Sequence, residues 1–226
     1  MRPNFNLELV NASTKAGLER GDRVFQTHWY ADTDEGQADY LLATLEGNLK
    51  VDLKLPLNPI ILDNGCGIGE ICRILSQKRP DLNFLMTNIS EYQLSFCPTG
   101  EKFLSICCDS HELKLPSNCV DYVMMSSTLC QLDAEVALDE CYRVLVDGGV
   151  LLINDMVRDN NNTDLEDNLA ARVVSAQKMK DQVEFAGFII DKFAIGGGSD
   201  HKFRALLGDS AHWLDGVHSV IVRAIK

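Results

Sequence analysis

The sequence predicts an α/β fold, in which a seven-stranded and mostly parallel sheet carries helices on both faces. Short apolar segments rich in β-branched residues recur along the chain, and segments with the apolar spacing of amphipathic helices separate them. Strands that alternate with helices of roughly ten to fifteen residues form parallel sheets, because each crossover helix packs back against the sheet. The predicted strands cover residues 60–62, 84–88, 103–109, 120–125, 150–154, 187–193 and 219–224.

The segment before the first strand has helical patterning. Residues 12–22 and 35–46 are predicted helices, and no Pro/Gly/Ser-rich linker or block of charge divides the chain. At 226 residues the chain is long enough for one well-buried domain. We therefore predict a single domain over 1–226, with a helical cap over 1–50 and the core over 55–226.

Three capping signals mark further helix starts. Ser90 and Gln93 have capping-box spacing, in which the serine side chain caps the helix and the glutamine reaches back to the serine backbone. Asp133 is the predicted cap of a helix over 134–146. A Thr-x-x-Glu sequence opens a predicted helix over 163–185.

Composition and charge argue against several classes of protein. The chain is 46% hydrophobic with a mean hydropathy of −0.06, and no apolar run approaches the roughly eighteen residues of a membrane span. The net charge of −12, from 21 basic and 33 acidic residues, disfavours nucleic acid or an anionic membrane as the main partner, since both require a basic face. We expect a small-molecule substrate, and a homo-oligomer stays open.

The cysteines predict the compartment. There are eight of them without any C-x-x-C spacing, which favours reduced thiols over disulfides or a metal site. The first residues lead into no apolar segment of a signal peptide. We therefore expect a cytoplasmic protein with no bound metal.

One stretch near the first strand carries the strongest functional signal. Residues 60–62 run into Gly65, Gly67 and Gly69, and helical apolar spacing resumes over 71–75. Glycines in such a turn let the backbone bend sharply and approach a ligand. The helix that follows directs its free N–H groups into the same space.

The residues beside the glycines favour a cationic ligand over a dinucleotide. Glu70 fills the position where the dinucleotide fold needs Gly or Ala for close helix packing. Asp63 places a carboxylate at the carboxyl end of the strand, where open α/β sheets bind ligands. A dinucleotide-binding oxidoreductase is therefore the weaker alternative.

With D-x-G-x-G-x-G after a strand, the chain resembles the class I S-adenosylmethionine (SAM)-dependent methyltransferases, which have a Rossmann-like fold. The resemblance implies that the glycine loop curves around the methionine part of SAM, and that S-adenosylhomocysteine (SAH) is the product. It implies that Asn88 binds the ribose, accepting from one hydroxyl and donating to the other, where an acidic residue is more common. It also implies that Asp109 accepts a hydrogen bond from the adenine amino group. The implied cofactor-binding residues are Asp63, Gly65, Cys66, Gly67, Gly69, Asn88, Ile89, Asp109, Ser110 and Ser126.

The resemblance also indicates where the methyl acceptor binds. The acceptor would approach the tip of the fourth strand over 126–129, and the aromatic segment 25–32 would close over it. The implied substrate-binding residues are Trp29, Tyr30, Thr128 and Trp213. An acceptor that must lose a proton needs a base, and a histidine suits that task. The candidate bases are His28, His111, His201 and His212, with Tyr30 as a lesser one, and we predict His28 first and His201 second.

Three short motifs resemble the small-molecule branch that includes prenyl diphosphate and sterol C-methyltransferases. They are the segment 37–42, Asn88-Ile89-Ser90-x-x-Gln93, and Ser127-Thr128. The prenyl enzymes carry a Glu just before the Ser-Thr pair, where this chain has Ser126, and no metal cluster for a diphosphate is visible.

These patterns lead to one expected function and two alternatives. We expect a SAM-dependent methyltransferase that acts on a small, partly apolar metabolite. C-methylation of an isoprenoid diphosphate is the first alternative and predicts dependence on Mg²⁺. A non-catalytic SAM-binding sensor or subunit is the second.

Overall fold

The computed structural model describes residues 6–21, 36, 39, 41, 44, 58–161, 171–196, 204 and 208–226. The strands are β1 (Ile60–Asn64), β2 (Asn83–Asn88), β3 (Phe103–Cys107), β4 (Val120–Ser126), β5 (Leu145–Arg158), β6 (Ile189–Gly196) and β7 (Val217–Ile225). The helices in the described ranges are α1 (Leu7–Glu19), α2 (Glu70–Lys78), α3 (Glu91–Leu94), α4 (Ala134–Val144) and α5 (Ala176–Phe185). Short 3-10 helices lie at Leu129–Gln131 and Gly208–Leu214.

The seven strands form one sheet in the order β3-β2-β1-β4-β5-β7-β6. The pairs from β3 across to β5 are parallel, and β7 runs antiparallel to both of its neighbours. The predicted fold, a mostly parallel seven-stranded sheet, is confirmed. Because the strand order reverses between β1 and β4, the carboxyl ends of these two neighbours form the switch point where open α/β sheets bind ligands.

The central strands are apolar on both sides, because both faces of the sheet are covered. On β1, Ile61 belongs to the buried cluster on one face and Leu62 to the cluster on the other. Met124 and Met125 alternate in the same way on β4. All four side chains are at most 1% exposed. Polar side chains replace this pattern at the carboxyl ends of the strands, which is where the candidate site lies.

The N-terminal helix begins earlier than its apolar pattern predicts. The side chain of Asn6 accepts a hydrogen bond from the backbone N–H of Leu9 at 3.0 Å and so caps α1. Residues 36, 39, 41 and 44 are helical, in agreement with the predicted helix over 35–46. Among the described helices none has the length and apolar character that a membrane crossing needs.

Of the predicted helix over 163–185, residues 176–185 are confirmed, but the described residues before them are not helical. Residues 171–174 are not helical, and α5 begins only at Ala176. The hydroxyl of Ser175 accepts from the backbone N–H of Lys178 at 3.2 Å, which makes Ser175 the cap of a separate helix. The predicted capping box that starts at Thr163 lies outside the described residues.

The predicted helix over 134–146 ends two residues early. Leu145 already pairs with Val120 of β4, so the chain turns directly from α4 into β5. Asp133 stands at the cap position as predicted, but its side chain makes no capping hydrogen bond.

Candidate functional site

The glycine loop, residues 65–69, connects β1 to α2 at the switch point of the sheet. Gly65, Gly67 and Gly69 have φ values of +81°, +56° and +71°. Residues with a Cβ rarely adopt these values, so the loop depends on glycine at all three positions.

The three glycines differ in their surroundings. A Cβ on Gly65 would overlap the side chain of Thr128, and a Cβ on Gly69 would lie 2.8 Å from Cδ of Pro98. A Cβ on Gly67 would meet no neighbouring atom within 4 Å in the described part of the chain. Gly65 and Gly69 therefore allow the loop to pack against the protein, whereas Gly67 presents the open backbone that a ligand can approach.

A buried carboxylate lies directly before the loop. Asp63 is 3% exposed, and its Oδ2 accepts a hydrogen bond from the thiol of Cys72 at 3.2 Å. Burial raises the pKa of Asp63 to about 6, and the bond from Cys72 acts in the opposite direction. Among the described residues, no cationic side chain contacts this carboxylate, so a bound cation would stabilise its charged form.

Asn88, at the end of β2, is bonded to the glycine loop. Its Nδ2 donates to the carbonyl of Gly67 at 3.3 Å and to Oε1 of Gln93 at 2.8 Å, and its Oδ1 accepts from the backbone N–H of Ser90 at 3.0 Å. Both amide protons are therefore used inside the protein. The second lone pair of Oδ1 can still accept from a ligand hydroxyl, but the expected donation by Asn88 to a second hydroxyl has no proton left.

The predicted capping box is confirmed for Ser90 and wrong for Gln93. The Ser90 hydroxyl accepts from the backbone N–H of Gln93 at 3.0 Å, as a cap does. The Gln93 side chain does not reach back to the Ser90 backbone, because the N–H of Ser90 is bonded to Asn88. Gln93 instead bridges Asn88 and helix α1.

A buried polar chain joins α1 to this network. Nε2 of Gln93 donates to the hydroxyl of Thr14 at 2.8 Å, and the Ser90 hydroxyl donates to Oδ1 of Asn11 at 2.7 Å. The Thr14 hydroxyl donates in turn to a backbone carbonyl one turn earlier, at 2.9 Å. The buried residues of α1 are Thr14 and Gly17. Polar contacts therefore fix where α1 lies on the core, since little apolar surface is buried there.

Asp109, directly after β3, is tied to the neighbouring loop. Its Oδ1 accepts from the backbone N–H of His111 at 2.9 Å and lies 2.6 Å from the ring Nδ1 of the same histidine. Nε2 of that ring accepts from the backbone N–H of Asp133 at 2.9 Å. Because a backbone N–H only donates, Nε2 is unprotonated and Nδ1 carries the proton toward Asp109. His111 is thus a structural link rather than a free base, while Asp109 stays 29% exposed.

Ser110 follows Asp109 in the chain, and Ile89 follows β2, the strand that pairs with β3. The Ser110 hydroxyl donates to Oδ1 of Asn64 at 2.7 Å, so its side chain points into the protein and only its backbone suits a ligand. Ile89 is 41% exposed despite being apolar. Such an exposed apolar side chain is a suitable surface for an aromatic ring.

The tip of β4 is held by Asn154, a residue that the sequence patterns did not predict. Nδ2 of Asn154, on β5, donates to the Ser126 hydroxyl at 3.0 Å, and the Asn154 carbonyl accepts from the backbone N–H of Ser127 at 2.7 Å. Ser127 has a φ of +51°, which is unusual for a residue with a Cβ. The Thr128 hydroxyl donates to the Ser126 carbonyl at 3.0 Å. Among the described residues, none is a hydrogen-bond partner of the buried Oδ1 of Asn154. The signal that could have found Asn154 is its position at the end of an otherwise apolar strand.

Two further candidate residues, Trp213 and His212, lie in the 3-10 helix Gly208–Leu214. Trp213 is half-buried in the 3-10 helix and packs against an apolar cluster, and the neighbouring His212 is exposed. That cluster consists of Cys130, Met156, Ala171, Val173, Leu214 and Val217. Four predicted residues lie outside the described part of the chain, namely His28, Trp29, Tyr30 and His201.

Four strand ends bring the candidate binding residues together. The carboxyl ends of β1, β2, β3 and β4 are neighbours in the sheet and bring together the open turn at Gly67, Asp63, Asn88 and Asp109. This arrangement has a carboxylate for a cation, an acceptor for a hydroxyl and a second carboxylate beside an apolar surface. No group of three metal-ligating side chains occurs within the described ranges.

A family model for a methyltransferase domain matches residues 62–153. Residues 62–153 are therefore similar to a methyltransferase domain. The match includes the glycine loop, Asn88, Asp109 and the tip of β4, which are the features on which the predicted resemblance rested. The predicted likeness to class I SAM-dependent methyltransferases is thereby confirmed.

One curated relative aligns with part of the chain. Malonyl-[acyl-carrier protein] O-methyltransferase from Herminiimonas arsenicoxydans is 30% identical over 94 residues, which is 42% of this chain and 36% of that protein. The alignment therefore spans only about a third of the relative's length, and similarity over that part does not establish a shared reaction.

Solved structures share the fold across almost the whole chain. The [4+2]-cyclase SpnF superposes with a TM-score of 0.76 at 17% identity, covering 97% of this chain and 94% of that one. Geranyl diphosphate C-methyltransferase from Streptomyces coelicolor A3(2), solved with Mg²⁺, geranyl diphosphate and SAH, superposes with a TM-score of 0.67 at 13% identity, covering 84% and 83%. At these identities the likeness is one of fold, and a cyclase and a methyltransferase both have it.

Proposed function

We propose that this protein transfers the methyl group of SAM to a small, partly apolar metabolite. The single observation that carries the proposal is the open backbone at Gly67, which lies between the buried carboxylate of Asp63 and the amide of Asn88. An open glycine turn at the switch point of a methyltransferase domain suits a ligand with a cationic end and a hydroxylated ring.

Each part of the cofactor has a suitable residue. Asp63 offers a negative charge for the ammonium group of the methionine part, and Oδ1 of Asn88 offers an acceptor for a ribose hydroxyl. Asp109 offers an acceptor for the adenine amino group, and the exposed side chain of Ile89 offers an apolar surface for the ring. When bound, SAM supplies a methyl group on a sulfonium, which is transferred by in-line displacement.

The protein's own work is then to align the acceptor and to exclude water. We assign the acceptor side to Thr128 and to the tip of β4 around Ser126. Trp29, Tyr30 and Trp213 belong to the proposed acceptor site. His28, and after it His201, are the proposed bases for an acceptor that must lose a proton.

Two further points belong to this proposal. The eight cysteines are free thiols, which supports a reducing, cytoplasmic location. Ser126 stands where prenyl diphosphate C-methyltransferases have a Glu, so an acceptor that needs no carboxylate base there is favoured over an isoprenoid diphosphate.

A thermal shift measurement with SAH tests the proposal. At about one hundred times its Kd, SAH should stabilise the fold by about 2.7 kcal/mol and raise the melting temperature by roughly 5–10 °C. The matched control is NAD at the same concentration, which should leave the melting temperature unchanged. A shift with NAD, or no shift with SAH, contradicts the proposed cofactor. Incubation with SAM that carries a deuterated methyl group and fractions of small apolar metabolites then identifies the acceptor by mass.

A further inference from the structure

Two thiols meet at the glycine loop. Sγ of Cys66, in the loop, lies 3.9 Å from Sγ of Cys97, which follows α3. Both thiols approach the carbonyl of Gly67, at 3.5 Å and 3.8 Å respectively. Cys66 is partly exposed and Cys97 is 7% exposed. The contact therefore joins two segments that are 31 residues apart, and both thiols lie at the same Gly67 carbonyl that accepts from Asn88.

The contact makes the two thiols chemically unequal. The hydrogen bond from Cys66 lowers the pKa of the Cys97 thiol, although burial acts in the opposite direction. The same contact, together with burial and the charge of Asp63, raises the pKa of Cys66. Cys72 is the third thiol in this region, and burial raises the pKa of its thiol well above the usual value. Thiolate is the reactive form of cysteine, so reactivity is concentrated on the Cys66–Cys97 pair.

We propose that Cys66 and Cys97 are an oxidation site at which hydrogen peroxide forms a reversible disulfide. The Cys97 thiolate attacks one peroxide oxygen, hydroxide leaves, and Cys97 becomes a sulfenic acid. Cys66 then attacks the sulfenic sulfur, which forms the S–S bond and releases the oxygen as water. Two thiols are oxidised, one peroxide is reduced to two waters, and the protons of the thiols end on those waters. The burial of Cys97 limits the oxidant to one of this small size.

The disulfide would change the loop itself. A disulfide needs its sulfurs at roughly 2.05 Å, so the two atoms must approach by roughly 2 Å from the contact seen here. The loop has little room for this shift, because Gly65 already abuts Thr128 and Gly69 abuts Pro98. The S–H groups that lie within donor distance of the Gly67 carbonyl are lost as well. If the proposed cofactor binds at Gly67, the oxidised protein should bind SAH about tenfold more weakly, since the loss of one hydrogen bond lowers affinity by about that factor.

Peptide mapping of the oxidised protein tests the site. The full chain is treated with hydrogen peroxide, remaining thiols are blocked with N-ethylmaleimide, and the digest is examined by mass spectrometry. We expect a cross-linked pair of peptides that contain Cys66 and Cys97, lighter by two hydrogens than the reduced pair and separated by dithiothreitol. Cys97→Ser should abolish the cross-link, whereas Cys119→Ser, which alters a half-buried thiol at the amino end of β4, should leave it intact.

The outcomes separate this inference from the proposed function. The oxidation site is overturned if the cross-link joins another pair of cysteines, or if N-ethylmaleimide still blocks both Cys66 and Cys97 after peroxide treatment. Both results are obtained with the wild-type protein, so neither depends on the folding of a variant. Protection of the pair by SAH, together with weaker SAH binding after oxidation, supports a cofactor at this loop. A disulfide that forms equally fast with and without SAH leaves the oxidation site standing and counts against the cofactor.

Discussion

The side chain of Gln93 donates a hydrogen bond to the hydroxyl of Thr14 at 2.8 Å, and both residues are buried. This contact joins α1 to the amide of Asn88, and through it to the carbonyl of Gly67. The donors and acceptors in this chain have fixed directions, because the N–H of Ser90 can only donate and the carbonyl of Gly67 can only accept. The position of α1 and the orientation of Asn88 are therefore coupled.

Thr14→Val tests this coupling with a side chain of nearly the same shape. The substitution leaves Nε2 of Gln93 buried without an acceptor, so we expect the free energy of unfolding to fall by about 1–3 kcal/mol. Urea denaturation measures this fall, and hydrogen exchange should show faster exchange in α1. Ser13→Ala, an exposed change on the same helix, is the control and should change neither quantity. Unchanged stability and exchange in Thr14→Val would show that α1 is held by other contacts.

Asn88→Asp introduces the acidic residue that is more common at the ribose position. We expect it to weaken the protein rather than improve SAH binding, because a carboxylate cannot donate to the carbonyl of Gly67. The lost donation should lower the free energy of unfolding by about 1–3 kcal/mol. Asn83→Asp, at the other end of β2 where the amide also donates to a backbone carbonyl but is exposed, is the matched control. Tighter SAH binding by Asn88→Asp would contradict the account of the network.

Asp63 should make stability depend on pH. Its pKa is about 6 in the folded protein against an ordinary value of 3.8, so the folded state holds the proton more tightly than the unfolded state. The contribution of the neutral carboxyl is complete below about pH 4 and is lost as pH rises through 6, so stability falls over this window. The loss is about 2–3 kcal/mol.

Asp63→Asn should remove this part of the pH dependence. Urea denaturation at pH 4 and pH 7 should show a smaller difference in the free energy of unfolding for the variant than for the wild type. Asp155 is also buried with a raised pKa, and it contributes equally to both proteins. Asp147→Asn, at a side chain that is 99% exposed, should behave as the wild type. An identical pH dependence in all three proteins would refute the raised pKa of Asp63.

Much of the fold could be predicted from the sequence, since apolar segments that are buried on both faces and separated by amphipathic helices specify a parallel sheet. The early end of α4 could not be predicted, because pairing of Leu145 with Val120 outweighs the helical pattern around it. The start of α5 at Ala176 depends on the cap at Ser175. The capping-box spacing at Thr163, further upstream, predicted an earlier start.

The candidate site divides in the same way. The glycine loop and the carboxylates of Asp63 and Asp109 could be placed because strand ends in a parallel sheet lie at one edge. The positions of Thr14 and Asn154 could not be predicted, since these residues reach the site only through tertiary contacts. His111, one of the candidate bases, is held between Asp109 and the backbone N–H of Asp133, and the contact with Asp133 is tertiary as well.

The most direct test of a SAM site at this loop is a calorimetric titration with SAH on the wild type, Asp109→Ala and Asp147→Ala. We predict micromolar binding to the wild type and to Asp147→Ala, and binding at least about tenfold weaker to Asp109→Ala because the acceptor for the adenine amino group is lost. Equal affinity in all three proteins would place SAH elsewhere. An absence of binding to the wild type would contradict the proposed cofactor altogether.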